Sequence, residues 1–536
     1  MAPSGQARAC LGIDFGTTTS LAAWGRPVRD GRGVAPEIIP APQDATGTRR
    51  EATPTLIYFP PGGGIVVGEA AREQLGLRPD RVVRRLKLLL GRVDRVDVAG
   101  RGHDPTALTA AVLSRLRSAA EEKLGGRVRE AVITVPASFD ACRRRALLEA
   151  AARAGFDVTP HMLFDEPLAA LASWAGRWSL VAGRRPPTPD PRPPPWTVLV
   201  LDVGGGTSDA CVARLLPAGG GPVVVEPLAL SRYTPVGGDD FDALVARTLI
   251  GRFCERSGLD LESLPPADRL LLEHRTVLAA ERVKMEVSAG EGVAEVRQMF
   301  LHGTHHLVER VDRRRYAEIV APLLTDPRIR AERSGQSVLD APIDALAKAG
   351  VDPSRLDLVL LAGGMANVPA VQDAIRSALG VEPVLCPSPH TAIVAGAVLQ
   401  HFALVAGLPH LRPAGPIAAG SIGVRTGRGG FRRLIGAGTP LPASVREAGA
   451  FAVPSSGARY VRIPICEGEG DGDDRILVTL ALRFPSRVQA GEPIVVEASM
   501  DANKLLSVRA WLQRLPGLSA SAEMGPGESG GARAAG

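Results

Sequence analysis

Lysine is scarce in this chain of 536 residues: only Lys87, Lys123, Lys284, Lys348 and Lys504 stand among 63 basic residues, leaving 58 arginines. This drift toward Arg marks each surviving Lys as a place where a compact ammonium serves and a planar guanidinium fork would not. Cysteine at metal-ligand spacing is missing too. The six Cys (Cys10, Cys142, Cys211, Cys254, Cys386 and Cys466) are scattered without a CxxC. That excludes a zinc ribbon and, in a chain this large, reads as free thiols in a reducing compartment. Met1–Cys10 lacks an apolar core and a cleavage pattern, so no secretory leader is expected. No run approaches the roughly 18 apolar residues of a membrane span, so no membrane association is expected either. A strong excess of one charge is also absent. The 63 basic and 57 acidic residues leave +6 over the whole length, and no basic block concentrates it for a nucleic acid. The expectation is a cytoplasmic protein.

What is present is enough apolar residue, 45% of the chain, to bury several cores. At about 100–200 residues per domain the length allows roughly three or four compact units. Self-similarity organises the first part. Cys10–Ser20 reads CLGIDFGTTTS and Val198–Asp209 reads VLVLDVGGGTSD: each is a short apolar strand, then Asp, then a Gly/Thr turn. Two such units suggest a duplicated α/β domain with facing phosphate loops. Leu356–Pro369 (LDLVLLAGGMANVP) is a third strand running into a Gly-Gly turn. Between them, Thr106–Leu124 and Ala141–Ala154 carry apolar residues at helical spacing. Strands alternating with helices argue for a parallel or mixed sheet.

The pattern changes near residue 405. From Ser421 to Arg514 short runs alternate apolar and polar, as in Tyr460–Ile465 and Ile476–Leu482, separated by Gly-rich turns. This predicts an all-β unit over 421–514. Residues 10–405 form the α/β unit, 406–420 the linker (LPHLRPAGPIAAG at 408–420), and the Gly/Ala/Ser-rich 515–536 a disordered tail. Gly183–Pro195 (GRRPPTPDPRPPP) reads as a stiff surface loop or a ligand for Pro-binding domains.

A nucleoside triphosphate needs backbone N–H donors and hydroxyls around its phosphates, and carboxylates around a hydrated Mg²⁺. One loop offers Gly16, Thr17 and Thr18; the other offers Gly204, Gly205, Gly206 and Thr207. Asp14, Asp202 and Asp209 supply carboxylates, and further Gly-Gly turns stand at Gly237–Gly238 and Gly363–Gly364. One DxGxT turn would be ordinary; two with different spacing, backed by two more glycine pairs, point to one nucleotide cleft.

These residues resemble the seventy-kilodalton heat-shock chaperones (DnaK-type, Hsp70), within the actin-like ATPase superfamily. The likeness runs in order through GIDFGTTTS at 12–20, RLKLLLG at 85–91, VITVPASFD at 132–140, DEPLAALASW at 165–174, LDVGGGTSD at 201–209, GGDDFD at 237–242, AERVKMEVS at 280–288 and LAGGMANVP at 361–369. The resemblance implies a duplicated actin-like (ribonuclease H-like) ATPase domain followed by a β-sandwich that binds peptide. It implies ATP/ADP and Mg²⁺ as ligands and slow hydrolysis that serves as a conformational timer. By the same resemblance Lys87 orients the attacking water, and Thr207 stands beside the γ-phosphate. Asp14, Glu166, Asp202 and Asp209 surround the metal's water shell. Glu281, Lys284 and Ser288 lie on the adenosine-binding helix, where spacings of three and four put them on one face. Pro136 and an arginine at Arg143, Arg144 or Arg145 match the pair that relays nucleotide state; Arg143 is the first choice. LIGAGTPLP at 434–442 and VVEASMDANKLLSVRA at 495–510 resemble elements of the peptide-binding sandwich. Val424, Phe451, Val461, Ile463 and Ile494 fall near its groove positions. Unfolded or extended peptides, a J-domain co-chaperone and a nucleotide exchange factor are the partners this implies.

Four departures qualify the likeness. Asn367 replaces the arginine that stacks on adenine, with Met365 nearby, and His390 replaces an acidic residue. The linker lacks the family's acidic and leucine run, and no helical lid is expected after the β-unit. Without those elements the two units are expected to communicate little and peptide to exchange fast. The leading expectation is an ATP-dependent chaperone ATPase. The alternatives are a nucleotide-sensing interaction module with weak hydrolysis and a small-molecule kinase of the same superfamily, which would carry no appended sandwich.

Overall fold

The computed structural model describes residues 9–26, 34–42, 48–159, 161–179, 195–216, 224–289, 292–329, 336–406, 415–427, 430–468, 474–523 and 533–534. The Pro-rich stretch at 183–195, apart from its last residue, and most of the 406–420 linker lie outside them.

The two Asp–Gly–Thr strands are the centres of two sheets with one topology. In the first, Cys10–Asp14 pairs antiparallel with Thr19–Gly25, which pairs with Glu37–Ile38. On its other side it pairs parallel with Val132–Val135, which pairs parallel with Leu163–Asp165. In the second, Trp196–Val203 pairs antiparallel with Ser208–Leu216, which pairs with Val224–Leu230. On its other side it pairs parallel with Leu358–Ala362, and that with Pro383–Leu385. The connectivity repeats strand for strand, so the sequence duplication is also a structural one. Cys10–Asp14 is buried along its whole length and Trp196–Val203 at every residue but Thr197, which is why they read as nearly continuous apolar runs.

Helices cover the sheets and bring both Asp-bearing strand ends to one cleft. Ala392–Ala406 packs on Glu166–Ser179 and on Cys10–Asp14. The contact is close because Gly12 and Gly396 are small: a Cβ on Gly396 would stand 1.8 Å from the Ala169 carbonyl oxygen. Pro266–Ser288 packs beside Gly238–Ser257 and forms the far wall.

The β-unit is a sandwich. Ile422–Arg425, Phe431–Ile435, Ala458–Glu467 and Arg475–Val488 make a four-stranded sheet. Ala443–Ala452, Pro493–Met500, Leu506–Leu512, Leu515–Glu523 and Arg533–Ala534 make a five-stranded one. Their inward faces share one core of Ile465, Leu480, Val496, Leu506 and Ala510 among others. The expected tail begins too early. Leu515–Glu523 pairs antiparallel with Leu506–Leu512; its small residues contribute little side-chain signal but a full set of backbone partners.

The β-unit is also not independent of the first part. Ala141 and Cys142 join the sandwich core, Leu505 packs on the core of the first sheet, and Ile417 on that of the second. The expectation of little communication between the units, drawn from the linker alone, did not include this interface, to which Ala141, Cys142 and Leu505 contribute from outside the linker and Ile417 from within it.

Candidate active site

A cavity of about 830 Å³ opens between the two sheets. Asp14, Gly16, Thr17 and Thr18 line it from the first strand–turn, and Asp202, Gly204, Gly205 and Thr207 from the second. Gly238, Gly363, Gly364 and Asn367 come from the other turns, Glu281, Lys284 and Ser288 from the far helix, and Lys87 and Glu166 from the floor. The candidates Gly206, Gly237 and Asp209 sit just behind that wall. Gly206 backs onto Thr17 and Gly237 onto Gly205, where a Cβ would stand 2.5 and 2.6 Å from the neighbour. Gly363 adopts φ +81°, and a Cβ there would stand 2.4 Å from Asp202 Oδ1. Only glycine lets this turn pass the carboxylate.

The floor is a cluster of four buried carboxylates around one buried ammonium. Lys87 Nζ donates to Glu166 Oε1 in direct contact. Asp14 Oδ1 accepts from the Thr134 hydroxyl at 2.9 Å and Asp209 Oδ1 from the Ser138 hydroxyl at 2.8 Å. Asp202 Oδ1 and Asp209 Oδ2 are buried without a hydrogen-bond partner. One cation cannot satisfy four anions in a dry site. Burial accordingly raises Asp14, Asp202 and Asp209 above the usual carboxylate range, with mutual repulsion adding to Asp202. Burial, with Asp14 and Asp209 adding to it, pushes Glu166 up to about 8 even beside Lys87. Burial works against the Lys87 charge, yet Glu166 and Asp14 hold it above an ordinary lysine. The site keeps its ammonium and is short of positive charge.

The far helix behaves differently. Lys284 Nζ donates to Asp242 Oδ2 at 2.7 Å, and the Ser288 hydroxyl donates to the Lys284 carbonyl at 2.7 Å. Glu281 Oε2 accepts from Arg72 at 2.6 Å. Asn367, where the family stacks an arginine, is exposed and offers its amide only to Gly364 O at 3.5 Å. His390 lines the cavity near it.

Several cleft residues escaped sequence reasoning. Arg85 reaches across to Asp239 and Asp240 at 3.4 Å each, Thr18 Oγ1 donates to Asp239 Oδ1 at 3.2 Å, and Arg84 meets His274 at 3.3 Å. GGDDFD held the signal for Asp239 and Asp240; Arg72, Arg84 and Arg85 are lost among the many arginines.

The structure settles which arginine meets Pro136. Arg144, not Arg143, donates to the Pro136 carbonyl at 3.3 Å, to Phe139 O at 2.9 Å and to Asp165 Oδ1 at 2.5 Å. Arg143 points the other way, its guanidinium 4.1 Å from the Tyr233 ring centroid. Adjacent helical residues diverge by about 100°, so one position decides the partner.

Of the five expected groove residues, Val424, Ile463 and Ile494 lie buried in the sandwich core. Strand alternation turns them inward. Phe451 and Val461 pack against that core and are partly exposed.

Comparison with known proteins agrees with this geometry. The Hsp70 protein family pattern matches residues 93–515. The chain is 30% identical over 467 residues to the chaperone protein DnaK of Thermosipho melanesiensis, covering 86% of this chain and 70% of that one. It is 31% identical over 469 residues to DnaK of Thermotoga petrophila and of Thermotoga maritima, with the same coverage.

Proposed function

The chain belongs to the Hsp70 family, and from that premise we propose that it is an ATP-dependent DnaK-type chaperone: an actin-like ATPase over 10–405 joined to a peptide-binding sandwich. One observation carries the reading: two glycine- and threonine-bearing loops, two further glycine turns, Lys87 and three carboxylates, Asp14, Glu166 and Asp202, converge on a single cleft of about 830 Å³. A triphosphate laid on the turns of Gly16–Thr18 and Gly204–Thr207 meets backbone N–H groups and hydroxyls. Its nucleoside end then falls against Glu281, Lys284 and Ser288.

The donor set fits Mg²⁺. Asp202 and Asp209 each keep a buried oxygen without a partner, and the floor is short of positive charge. Among the described residues no three His, Cys, Asp or Glu side chains are placed to ligate one metal directly. Asp14, Glu166, Asp202 and Asp209 would therefore hold the ion through its waters, the usual habit of Mg²⁺. When bound, the ion supplies charge neutralisation for the phosphates. Lys87 and Glu166 orient the attacking water, and the Thr207 hydroxyl steadies the γ-phosphate; the protein positions groups and forms no covalent bond to the substrate.

Extended apolar segments are the proposed ligands of the sandwich, with Phe451 and Val461 the two expected contacts within reach. A J-domain co-chaperone and an exchange factor are proposed partners, and a cytoplasmic role under protein-folding stress is the proposed setting. None of the six cysteines is in a disulfide, and no helix among the described residues is long and apolar enough to cross a membrane. Calorimetric titration with ATP, with and without Mg²⁺, and single-turnover hydrolysis test the reading. Binding that requires Mg²⁺ supports it; no heat at millimolar nucleotide refutes it.

A further inference from the structure

Besides Lys87 and Lys284, four arginines line the cleft among the described residues: Arg50, Arg72, Arg84 and Arg85. Three of them are engaged elsewhere. Arg50 is half exposed and faces Glu69 at 3.8 Å, and Arg72 donates to Glu281 Oε2 at 2.6 Å. Arg84 meets the His274 ring at 3.3 Å; burial, with Arg84 adding to it, lowers His274 to about 4, so that ring is neutral and accepts from the guanidinium.

Arg85 is held differently. It precedes the short helix Leu86–Leu89 and adopts φ +54°, a left-handed backbone costly for any residue with a Cβ and kept only where the surroundings over-determine it. Its side chain does not cap that helix. It reaches over the cleft instead, with Nε 3.4 Å from Asp239 Oδ2 and Nη2 3.4 and 3.5 Å from the two Asp240 oxygens. These distances are long for charge-assisted hydrogen bonds, which run to about 2.7–2.9 Å, and Nε is buried without a hydrogen bond. Asp239 fixes where the guanidinium stands. Its carboxylate accepts from the Thr18 hydroxyl at 3.2 Å, and its N–H donates to the Gly205 carbonyl at 2.7 Å. Thr18 and Gly205 belong to the two facing turns, so Arg85 lies one carboxylate away from both. Two residues further on, Lys87 reaches Glu166 on the floor. Burial raises Asp239 even with Arg84 and Arg85 opposing it, so this carboxylate holds its cation loosely.

We propose that Arg85 is a phosphate-contacting residue of the cleft, whose guanidinium leaves Asp239 and Asp240 when nucleotide binds and takes oxygens of the terminal phosphates. This deepens the ATPase reading and rests on it. A triphosphate is an anion even with its metal, and it enters a site where four carboxylates already surround Lys87. A planar fork matches two phosphate oxygens at once, whereas the two aspartates leave its donors at long range or unused. In hydrolysis the water oxygen bonds the terminal phosphorus as the bond to the bridging oxygen breaks. ADP leaves with that electron pair, one water proton stays on the released phosphate and the other goes to solvent. Charge spreads over the terminal and bridging oxygens on the way, and a guanidinium held there stabilises it.

The test uses the full chain in Mg²⁺. Calorimetry with ATP and with adenosine reads binding, and single-turnover kinetics at saturating ATP reads hydrolysis. Arg85→Ala is expected to weaken ATP at least tenfold and slow hydrolysis at least tenfold, with adenosine within twofold of wild type; the adenosine arm shows that the cleft is still built. Asp240→Asn keeps an oxygen to accept from Gly237 N, as Asp240 Oδ2 does at 2.9 Å, and drops the charge. It separates a phosphate contact from a mere strut across the cleft: freeing a contact should leave ATP bound at least as tightly as by wild type, and cutting a strut should weaken it. Three results each overturn the proposal: an Arg85→Ala protein whose ATP affinity or rate falls less than tenfold, one that loses adenosine in parallel with ATP, or an Asp240→Asn protein that binds ATP more weakly than wild type. A wild type that binds no ATP overturns the ATPase reading and this proposal together, whereas a wild type and an Arg85→Ala protein that bind ATP equally overturn the proposal alone.

Discussion

The chain buries charge in two places and balances it in opposite ways. On the floor of the cleft, four carboxylates face one ammonium, two carboxylate oxygens have no partner, and every carboxylate is raised in pKa. Between the units, cations outnumber anions. Asp165 serves Arg144 and Lys504; Asp140 serves Arg475 at 2.7 Å and Arg143 at 3.8 Å. The first cluster needs positive charge from solution, as a site for a metal-bound nucleotide must. The second is self-sufficient and holds the molecule together. Buried charge by itself thus says little about function; the sign of its imbalance says more.

The largest expected effect lies in the deficient cluster. Lys87→Ala should lower the single-turnover rate by about 10²–10³-fold, the scale of removing one preorganised charge from a transition state. Nucleotide affinity should hold nearly steady, because a group that orients water acts mainly beyond the ground state. A wild-type rate would return Lys87 to a packing role.

Next comes the self-sufficient cluster. Asp165→Asn removes the one anion from two buried cations and should destabilise the docked protein by about 3–5 kcal/mol, the usual cost of breaking a buried pair. Denaturant unfolding of the full chain measures it, and a loss under about 1 kcal/mol would erase the contrast between the clusters.

The matching change in the cleft should have the opposite sign. Asp202→Asn relieves repulsion and should raise the metal-free unfolding midpoint by about 2–4 °C, while weakening the further rise that Mg²⁺ and ATP bring. The same asymmetry governs pH. Glu166, raised to about 8 from 4.5, favours the fold when protonated, so the metal-free protein should lose stability as pH climbs from about 4.5 to 8. Asp165, held low, contributes stability above 3.8 that disappears as pH falls. Differential scanning with and without Mg²⁺ from about pH 3 to 8 separates the two trends.

Arg475→Ala should matter least. Its own side chain is 51% exposed although Asp140 is buried, and Arg143 stays beside Asp140 at 3.8 Å, so the loss should be about 1 kcal/mol, the upper end for exposed pairs.

The cleft was legible in the sequence because its chemistry is local: Asp14 with Gly16–Thr18 and Asp202 with Gly204–Thr207 are short motifs on buried strands. Gly363 and Lys284 were likewise marked by their neighbours. The interface was not legible, since Lys504 and Asp165 are separated by hundreds of residues and neither motif names the other. Lysine scarcity flagged Lys348 and Lys504, but scarcity carries no direction. Lys348 turns out to reach Ala419 O and Leu230 O at 3.4 Å each. Arg144 was confounded with Arg143 because sequence spacing does not fix helix rotation. That Val424, Ile463 and Ile494 are buried core residues was not legible, because alternation distinguishes the two faces of a strand without saying which residues a ligand can reach. Leu515–Glu523 was missed because its Gly, Ser and Ala residues give little side-chain signal, although Ala520 is buried in the sandwich core.

The central claim is that the charge deficit on the cleft floor is there to receive Mg²⁺ with a nucleoside triphosphate. Titration calorimetry of the full chain with ATP, in Mg²⁺ and then in EDTA, tests it most directly. The account predicts saturable binding in Mg²⁺ that weakens at least tenfold in EDTA. Equal affinity in both, or no binding at millimolar ATP, would contradict it.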